Sequence, residues 1–351
     1  MTMDIGKLVR PNIRALRPYQ SARETVQEGV LLDANENPYP VPYQGVSLNR
    51  YPDPRQKALR AAVAERLELG PENVLAGSGS DEVLDWVFKV FCQPGEDQVS
   101  VAEPTYGMYR VMADIFGVAC HEFRLNRNFD LEWERFLQEV PEAVKVLFLC
   151  SPNNPTGNLL SREAILRLCG AWGKIVVVDE AYVEFSGSPS LVRELPDLPN
   201  LILLRTFSKA FGRAAVRLGY AVASPEIVEN FLKVKAPYNL NAWTMECGRL
   251  AVQDFGKMDL VETICRQRER VALELKKIPK VEQVFPSQAN FLLFRCKNAS
   301  ETCRRLLERG IVVRDRSRPA GLENCIRVSI GTPSENDLFL GELRNILERD
   351  V

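Results

Sequence analysis

Short apolar runs at regular intervals set the strongest limit on what this chain can fold into. They are NVLAGS (73–78), DQVSVA (97–102), VKVLFLC (144–150), KIVVVDE (174–180), NLILLRT (200–206) and LGYAVAS (218–224). Each has the length and β-branched content of a buried strand. Several are separated by stretches of helical period. In SDEVLDWVFKVF, Val83, Trp86, Val87 and Val90 recur at i, i+3, i+4 and i+7 on one face. SREAILRLCGAW opens on a serine placed to cap a helix, with Glu163 close behind. This alternation predicts an α/β fold with a mostly parallel sheet.

Ligands of open α/β sheets bind beyond the carboxyl ends of the strands, so the residues that follow each run carry the functional information. NVLAGS is followed by Gly79, Ser80 and Asp81, opening a helix, and DQVSVA by EPTYGMY with Tyr106. VKVLFLC leads into SPNNPTG with Asn154; KIVVV ends on Asp179, with Tyr182 close behind; NLILLRT runs through Thr206 into Ser208 and Lys209. Arg217 precedes its run and would fall at the wrong edge of the sheet if LGYAVAS were parallel. One antiparallel strand there turns the stretch from Lys209 to Arg217 into a hairpin-like loop and brings both to the same crevice.

Those residue types describe a ligand. Gly79 and Ser80 at a helix N-terminus offer backbone N–H groups and a hydroxyl to an anion. Thr206, Ser208 and Arg217 add donors and a positive charge, enough for a phosphate. Tyr106 offers a ring for stacking, Asp179 a carboxylate for a cationic ring nitrogen, and Asn154 with Tyr182 donors for a phenolate oxygen. Lys209, at the tip of a buried strand where desolvation favours the neutral amine, is placed for a Schiff base. Phosphate, flat ring, pyridinium, phenolate and aldehyde together describe pyridoxal 5′-phosphate. Each piece alone has a plain structural reading; their order along the strand ends is what carries weight.

Composition narrows the rest. With 26% charged residues and a net charge of −1, there is no electrostatic footprint for nucleic acid or an anionic membrane. No run reaches the ~18 apolar residues of a membrane span, and the first residues lack a signal-peptide core. The 9 cysteines form no C-x-x-C pair, which suits reduced core thiols in a cytoplasmic protein and no metal site. The single histidine, His121, lies in VACHEFRL, which alternates like a strand. A histidine-based acid–base mechanism would have to rest on that one side chain.

SPNNPTG, VVDEAY and TFSKAFGRAAVRLGY resemble the asparagine, aspartate–tyrosine and lysine–arginine motifs of the fold-type I pyridoxal-phosphate aminotransferases. Within them, RPYQSAR, LDANENP, NRYPDPRQKALR, EPTYGMY, APYNL and VVRD…CIRVSIGT are most similar to the histidinol-phosphate aminotransferase family. The pattern along the chain divides it into an N-terminal arm (1–28), a large cofactor domain (29–270) and a small α+β domain (271–351), and the resemblance implies an aspartate-aminotransferase-like architecture. It implies that Lys209 binds the cofactor covalently, with Asp179, Tyr182, Asn154 and Tyr106 around the ring and Gly79, Ser80, Asp81, Thr206, Ser208 and Arg217 around the phosphate. Tyr51 would reach the phosphate of a neighbouring subunit, making the enzyme a homodimer. Arg327, assisted by Arg314, Tyr19 and Asn154, would bind the anionic end of an amino donor or a 2-oxo acid, though a strand-edge arginine also suits a surface ion pair. Relatives acting on aromatic amino acids, or decarboxylating threonine phosphate, share several of these motifs. A non-catalytic relative that binds cofactor or a regulatory partner is a further reading. Arg213 interrupts a loop that is apolar in relatives.

Overall fold

The computed structural model describes residues 3–25, 28–40, 42–43 and 46–348. β1 (Pro42–Tyr43) and β2 (Val46–Ser47) form a small antiparallel ribbon. The main sheet takes in β3 (Val74–Gly77), β4 (Gln98–Glu103), β5 (Ala119–Arg124), β6 (Val144–Cys150), β7 (Ile175–Asp179), β8 (Leu201–Thr206) and β9 (Gly219–Ala223). Their order is β3-β9-β8-β7-β6-β4-β5. β9 runs antiparallel to both β3 and β8, and all other neighbours are parallel. The reversed strand implied by the position of Arg217 is present.

The apolar runs are continuous because both faces of this sheet are covered. Successive residues go to opposite faces: Leu147, Leu149, Val176, Val178, Leu201 and Leu203 enter one apolar cluster, whereas Val146, Phe148, Val177, Ile202 and Leu204 enter another. The helix Ser80–Phe91 presents Val83, Trp86, Val87 and Val90 to the second cluster, and the helix Arg162–Ala171 presents Ile165 and Leu168 to the first. Ser161 caps the latter, its hydroxyl accepting from the Ala164 N–H at 3.2 Å. Near the start of the chain, Ile5, Val9 and Ile13 are buried in the second cluster.

A second, antiparallel sheet follows: β10 (Val281–Val284), β11 (Phe291–Cys296), β12 (Arg314–Asp315) and β13 (Cys325–Ser329), in the order β10-β11-β13-β12. Helices Leu260–Lys276, Ala299–Glu308 and Pro333–Glu348 pack on it around Leu292, Phe294, Ile326 and Leu343. The first of these helices begins earlier than its charged half suggests. Its Val261 and Cys265 pack beside Tyr182 and Ala210, and its Val271 and Leu275 beside the small sheet. In the main sheet β5, the alternating stretch VACHEFRL, was not among the six apolar runs, and in the small sheet β10 carries no apolar run either. β5 is an edge strand whose side chains are mostly not buried, and β10 is short with exposed residues at its centre. Among the described residues, no helix is long and apolar enough to cross a membrane.

One close approach ties the sheet to its ligand edge. A Cβ on Gly219, the first residue of β9, would lie 2.3 Å from the Ser80 nitrogen and 2.6 Å from the Gly79 carbonyl carbon. The absence of a side chain at 219 therefore lets the N-terminus of the helix Ser80–Phe91 sit directly against β9. Gly219→Ala should destabilise the fold by ~1–3 kcal/mol through overpacking, read as a lowered denaturant midpoint. An unchanged midpoint would contradict this packing.

Candidate active site

Strand register assembles the site. Cys150 pairs with Asp179 and Asp179 with Leu204 across β6, β7 and β8, while Thr206 and Gly77 both pair with Gly219. The carboxyl ends of β3, β6, β7 and β8 and the start of β9 thus share one edge. Asp179, at the end of β7, is buried. Its Oδ2 accepts from the Tyr109 hydroxyl at 2.9 Å and its Oδ1 from the Ala181 N–H at 3.0 Å. Burial pushes its pKa up to about 6, against the downward pull of those two donors.

Asn154 joins two of the predicted residues. Its amide nitrogen donates to the Tyr182 hydroxyl at 3.4 Å, and its Oδ1 accepts from Arg327 Nη1 at 2.5 Å. Tyr182 packs edge-on to Phe291 with ring centroids 5.2 Å apart, and the Arg327 guanidinium lies 5.4 Å from the same Phe291 ring. The Lys209 amine is 5.7 Å from the centroid of the Tyr182 ring. Asn154, Tyr182, Lys209 and Arg327 are therefore one contiguous group.

One expectation is corrected here. Lys209 is not sealed in the core; the preceding strand is buried, but Lys209 itself is exposed. A group that must meet a soluble ligand needs that access. Its pKa is nonetheless lowered, first by partial desolvation, then by the positive charges of Arg327 and Arg217, with Asp179 opposing.

Gly79, Ser80, Asp81, Thr206, Ser208 and Arg217 are the residues expected to hold a phosphate. Gly79 caps the helix Ser80–Phe91 with φ 78°, and a Cβ there would come within 2.8 Å of Arg217 Nη2. Arg217, itself left-handed at φ 54°, is exposed; its Nη1 donates to the Ala214 carbonyl at 3.2 Å, and its Nη2 lies 3.7 Å from an Asp81 carboxylate oxygen. The Ser208 N–H donates to Thr206 Oγ1 at 3.1 Å, fixing the turn that carries Lys209. Tyr106 stands edge-on to Tyr109 at 5.5 Å, its phenol pushed up to about 12, first by burial and then by the charges of Asp81 and Asp179.

Other predicted residues lie apart from this group or at its rim. Arg314 is exposed and sits directly across the strand pair from Arg327. Tyr19 is 76% exposed. Tyr51 is exposed and stacks on Tyr238 with centroids 4.4 Å apart; its N–H donates to Glu36, which Arg23 and Arg50 also hold. His121 bonds Ser100 on the adjacent strand at 3.1 Å. Sequence reasoning missed Tyr109 and Arg316. Tyr109 had one available signal, its i+3 spacing from Tyr106, which puts both on one side of a turn.

The aminotransferase class I and II family model matches residues 20–343. The chain belongs to the class I and II aminotransferase family. It is 44% identical over 346 residues to a histidinol-phosphate aminotransferase of Parabacteroides distasonis, covering 98% of this chain and 99% of that protein. Its fold matches the crystal structure of the histidinol-phosphate aminotransferase from Clostridium acetobutylicum with a TM-score of 0.78 at 25% identity, over 86% of this chain and 92% of that one. It also matches the Sinorhizobium meliloti histidinol-phosphate aminotransferase in complex with pyridoxal 5′-phosphate, with a TM-score of 0.77 at 26% identity, over 86% of this chain and 84% of that one.

The residues of this aminotransferase fit such a cofactor. A buried carboxylate with no salt bridge among the described residues is a place for a pyridinium nitrogen. A side-chain-free Gly79 beside Arg217 at a helix N-terminus is a place for a phosphate. Asp179 also generates a pH prediction. Its pKa of about 6 in the fold exceeds the ~3.9 of an unfolded aspartate, so the unfolded chain binds fewer protons between those values. The cofactor-free protein should lose on the order of 2–3 kcal/mol of stability as pH rises from 4 to 6, and Asp179→Asn should remove that loss. Parallel pH–stability curves for the two proteins would contradict it.

Proposed function

We propose that this aminotransferase exchanges the amino group between L-histidinol phosphate and 2-oxoglutarate, giving imidazole acetol phosphate and glutamate, as a step of histidine biosynthesis. The observation that carries the reading is the Arg327–Asn154 bond. A half-buried guanidinium held by a neutral amide, within one contiguous group with Lys209, keeps its charge for a substrate anion. Its planar fork accepts a phosphate or a carboxylate, which a site serving both substrates in turn requires. The named relatives at high coverage point the same way. An aromatic-amino-acid aminotransferase or a threonine-phosphate decarboxylase would use the same strand-end residues.

In this reading, bound pyridoxal 5′-phosphate supplies the electron sink for the charge left at the substrate Cα. Asp179 keeps the proton on the ring nitrogen, and Tyr109 and the Ala181 N–H orient its carboxylate. Tyr182 and Asn154 would donate to the ring oxygen, and Tyr106 would offer its ring for stacking. The N–H groups of Ser80 and Asp81, with Gly79, Thr206, Ser208 and Arg217, hold the phosphate. Lys209 would attach the cofactor through its amine and, when not so engaged, would take up and return the proton at the substrate Cα. Its depressed pKa and open position suit both tasks. Arg327, with Arg314 and Tyr19, binds the substrate anion. The large domain ends and the small one begins near 270–271, and the arm spans 1–28. Tyr51 of one protomer completes the phosphate site of its partner in a cytoplasmic homodimer.

Purified protein should show ping-pong exchange between histidinol phosphate and 2-oxoglutarate that exceeds exchange with phenylalanine and any decarboxylation of threonine phosphate. A preference for either competitor would overturn the substrate assignment, and cofactor binding without any exchange would favour a non-catalytic role. Lys209→Ala should lower turnover by about 10²–10⁴-fold or more, and borohydride reduction should no longer fix cofactor to the chain. Cofactor still fixed in that variant would contradict the assignment of Lys209.

A further inference from the structure

Arg316 is left without a task by the proposed function, yet it stands beside the group that binds the substrate anion. Residues directly opposite on an antiparallel pair share a face, as do residues two apart along one strand. Arg314 faces Arg327 in the β12–β13 register, and the ladder continues with the Arg316 N–H donating to the Cys325 carbonyl at 2.9 Å. Arg314, Arg316 and Arg327 therefore share the face from which Arg327 reaches Asn154. Among the described residues, none of these arginines forms a salt bridge, and Arg316 Nε is buried with no hydrogen-bond partner.

The carboxylate in electrostatic reach is Glu103, at the end of β4. Among the described residues it forms no salt bridge with these arginines. Its Oε2 accepts from the Thr105 N–H at 3.0 Å, and burial raises its pKa toward the neutral form. A groove of about 590 Å³, lined by Glu103 itself, Pro104, Arg124 and the segment Pro319 to Gly321, opens at this carboxylate. A buried guanidinium donor without an acceptor is costly, and an anion that supplies the acceptor offsets the cost. One carboxylate satisfies one arginine fork. A phosphate monoester carries nearly two charges at neutral pH and three acceptor oxygens, enough for a second fork.

Resting on the proposed exchange reaction, we propose that Arg316 is a specificity-determining residue: it adds a further cationic contact to a phosphate-monoester dianion, beyond the Arg327 and Arg314 contacts that a carboxylate also uses. Arg316 thereby separates the two half-reactions. It tightens the site for the phosphorylated amine and is left idle when glutamate or 2-oxoglutarate is bound.

The test uses the cofactor-loaded Arg316→Gln enzyme. KM for L-histidinol phosphate should rise by about 10–100-fold, the loss of one charge-assisted hydrogen bond. The corresponding kcat and the KM for glutamate should stay within about threefold. Calorimetric affinity of the loaded enzyme for inorganic phosphate should fall by a similar factor to the first. Arg316→Lys, which keeps the charge and loses the fork, should fall between the two and serves if the glutamine variant does not fold. Equal changes for both substrates, or none for either, would overturn the proposal. So would a Glu103→Gln variant that reproduces the same selectivity loss, because Arg316 would then act only as a counter-ion. If the wild-type enzyme does not turn over histidinol phosphate, the proposed function fails on its own, and the phosphate calorimetry still decides the role of Arg316.

Discussion

Hydrogen-bond register across the parallel strands is the constraint from which the site follows. Aligning Cys150 with Asp179, and Asp179 with Leu204, puts the ends of β6, β7 and β8 at one level. The short segments beyond those ends must then enter the same crevice. Reversal of β9 adds the loop from Lys209 to Arg217 to that crevice. Gly219 lets the Gly79–Ser80 helix start close against it. A one-residue slip in β7 would turn Asp179 to the opposite face.

Two adjacent carboxylates show how the fold separates structural charge from functional charge. Glu180 is satisfied internally: Arg205 Nη1 lies 3.0 Å from it, and the Ser190 hydroxyl and the Leu191 N–H donate to it at 2.5 and 2.8 Å. Arg205 also pairs with Glu184 at 2.6 Å. Breaking such a buried pair leaves an uncompensated charge, typically a loss of 3–5 kcal/mol, so this network fixes β7 to β8 behind the cleft. Asp179, one residue earlier, receives only neutral donors. Buried and without a salt bridge among the described residues, it is the group that the proposed function gives to the ring nitrogen of a ligand. Arg327 is its mirror image, a cation given only a neutral amide. Lys209, in electrostatic reach of both, is exposed.

Most of this was legible in the sequence because strand-end residues are local signals. A run such as KIVVVDE carries both its burial and its terminal Asp179 within a few positions, and the reversal of β9 followed from the position of Arg217. What was not legible depends on distant partners. Tyr109 looks like any residue of an amphipathic helix until it meets Asp179, a separation of 70 positions. Arg327 and Asn154 are 173 positions apart, so their bond has no local trace. The role of Arg316 depends on the β12–β13 register, which a strand of two residues does not announce. Lys209 was expected to be buried because the strand before it is; Phe207, Ala210 and Phe211 beyond the strand are buried too, but the turn held by Thr206 leaves Lys209 itself exposed.

The central claim is that Asp179, buried and without a cation of its own, is the ionised partner of a protonated ring nitrogen. Nitrogen-15 NMR of the enzyme loaded with cofactor labelled at that nitrogen tests it most directly. The account predicts the chemical shift of a protonated pyridinium across the neutral pH range. A shift typical of an unprotonated pyridine at neutral pH would contradict it.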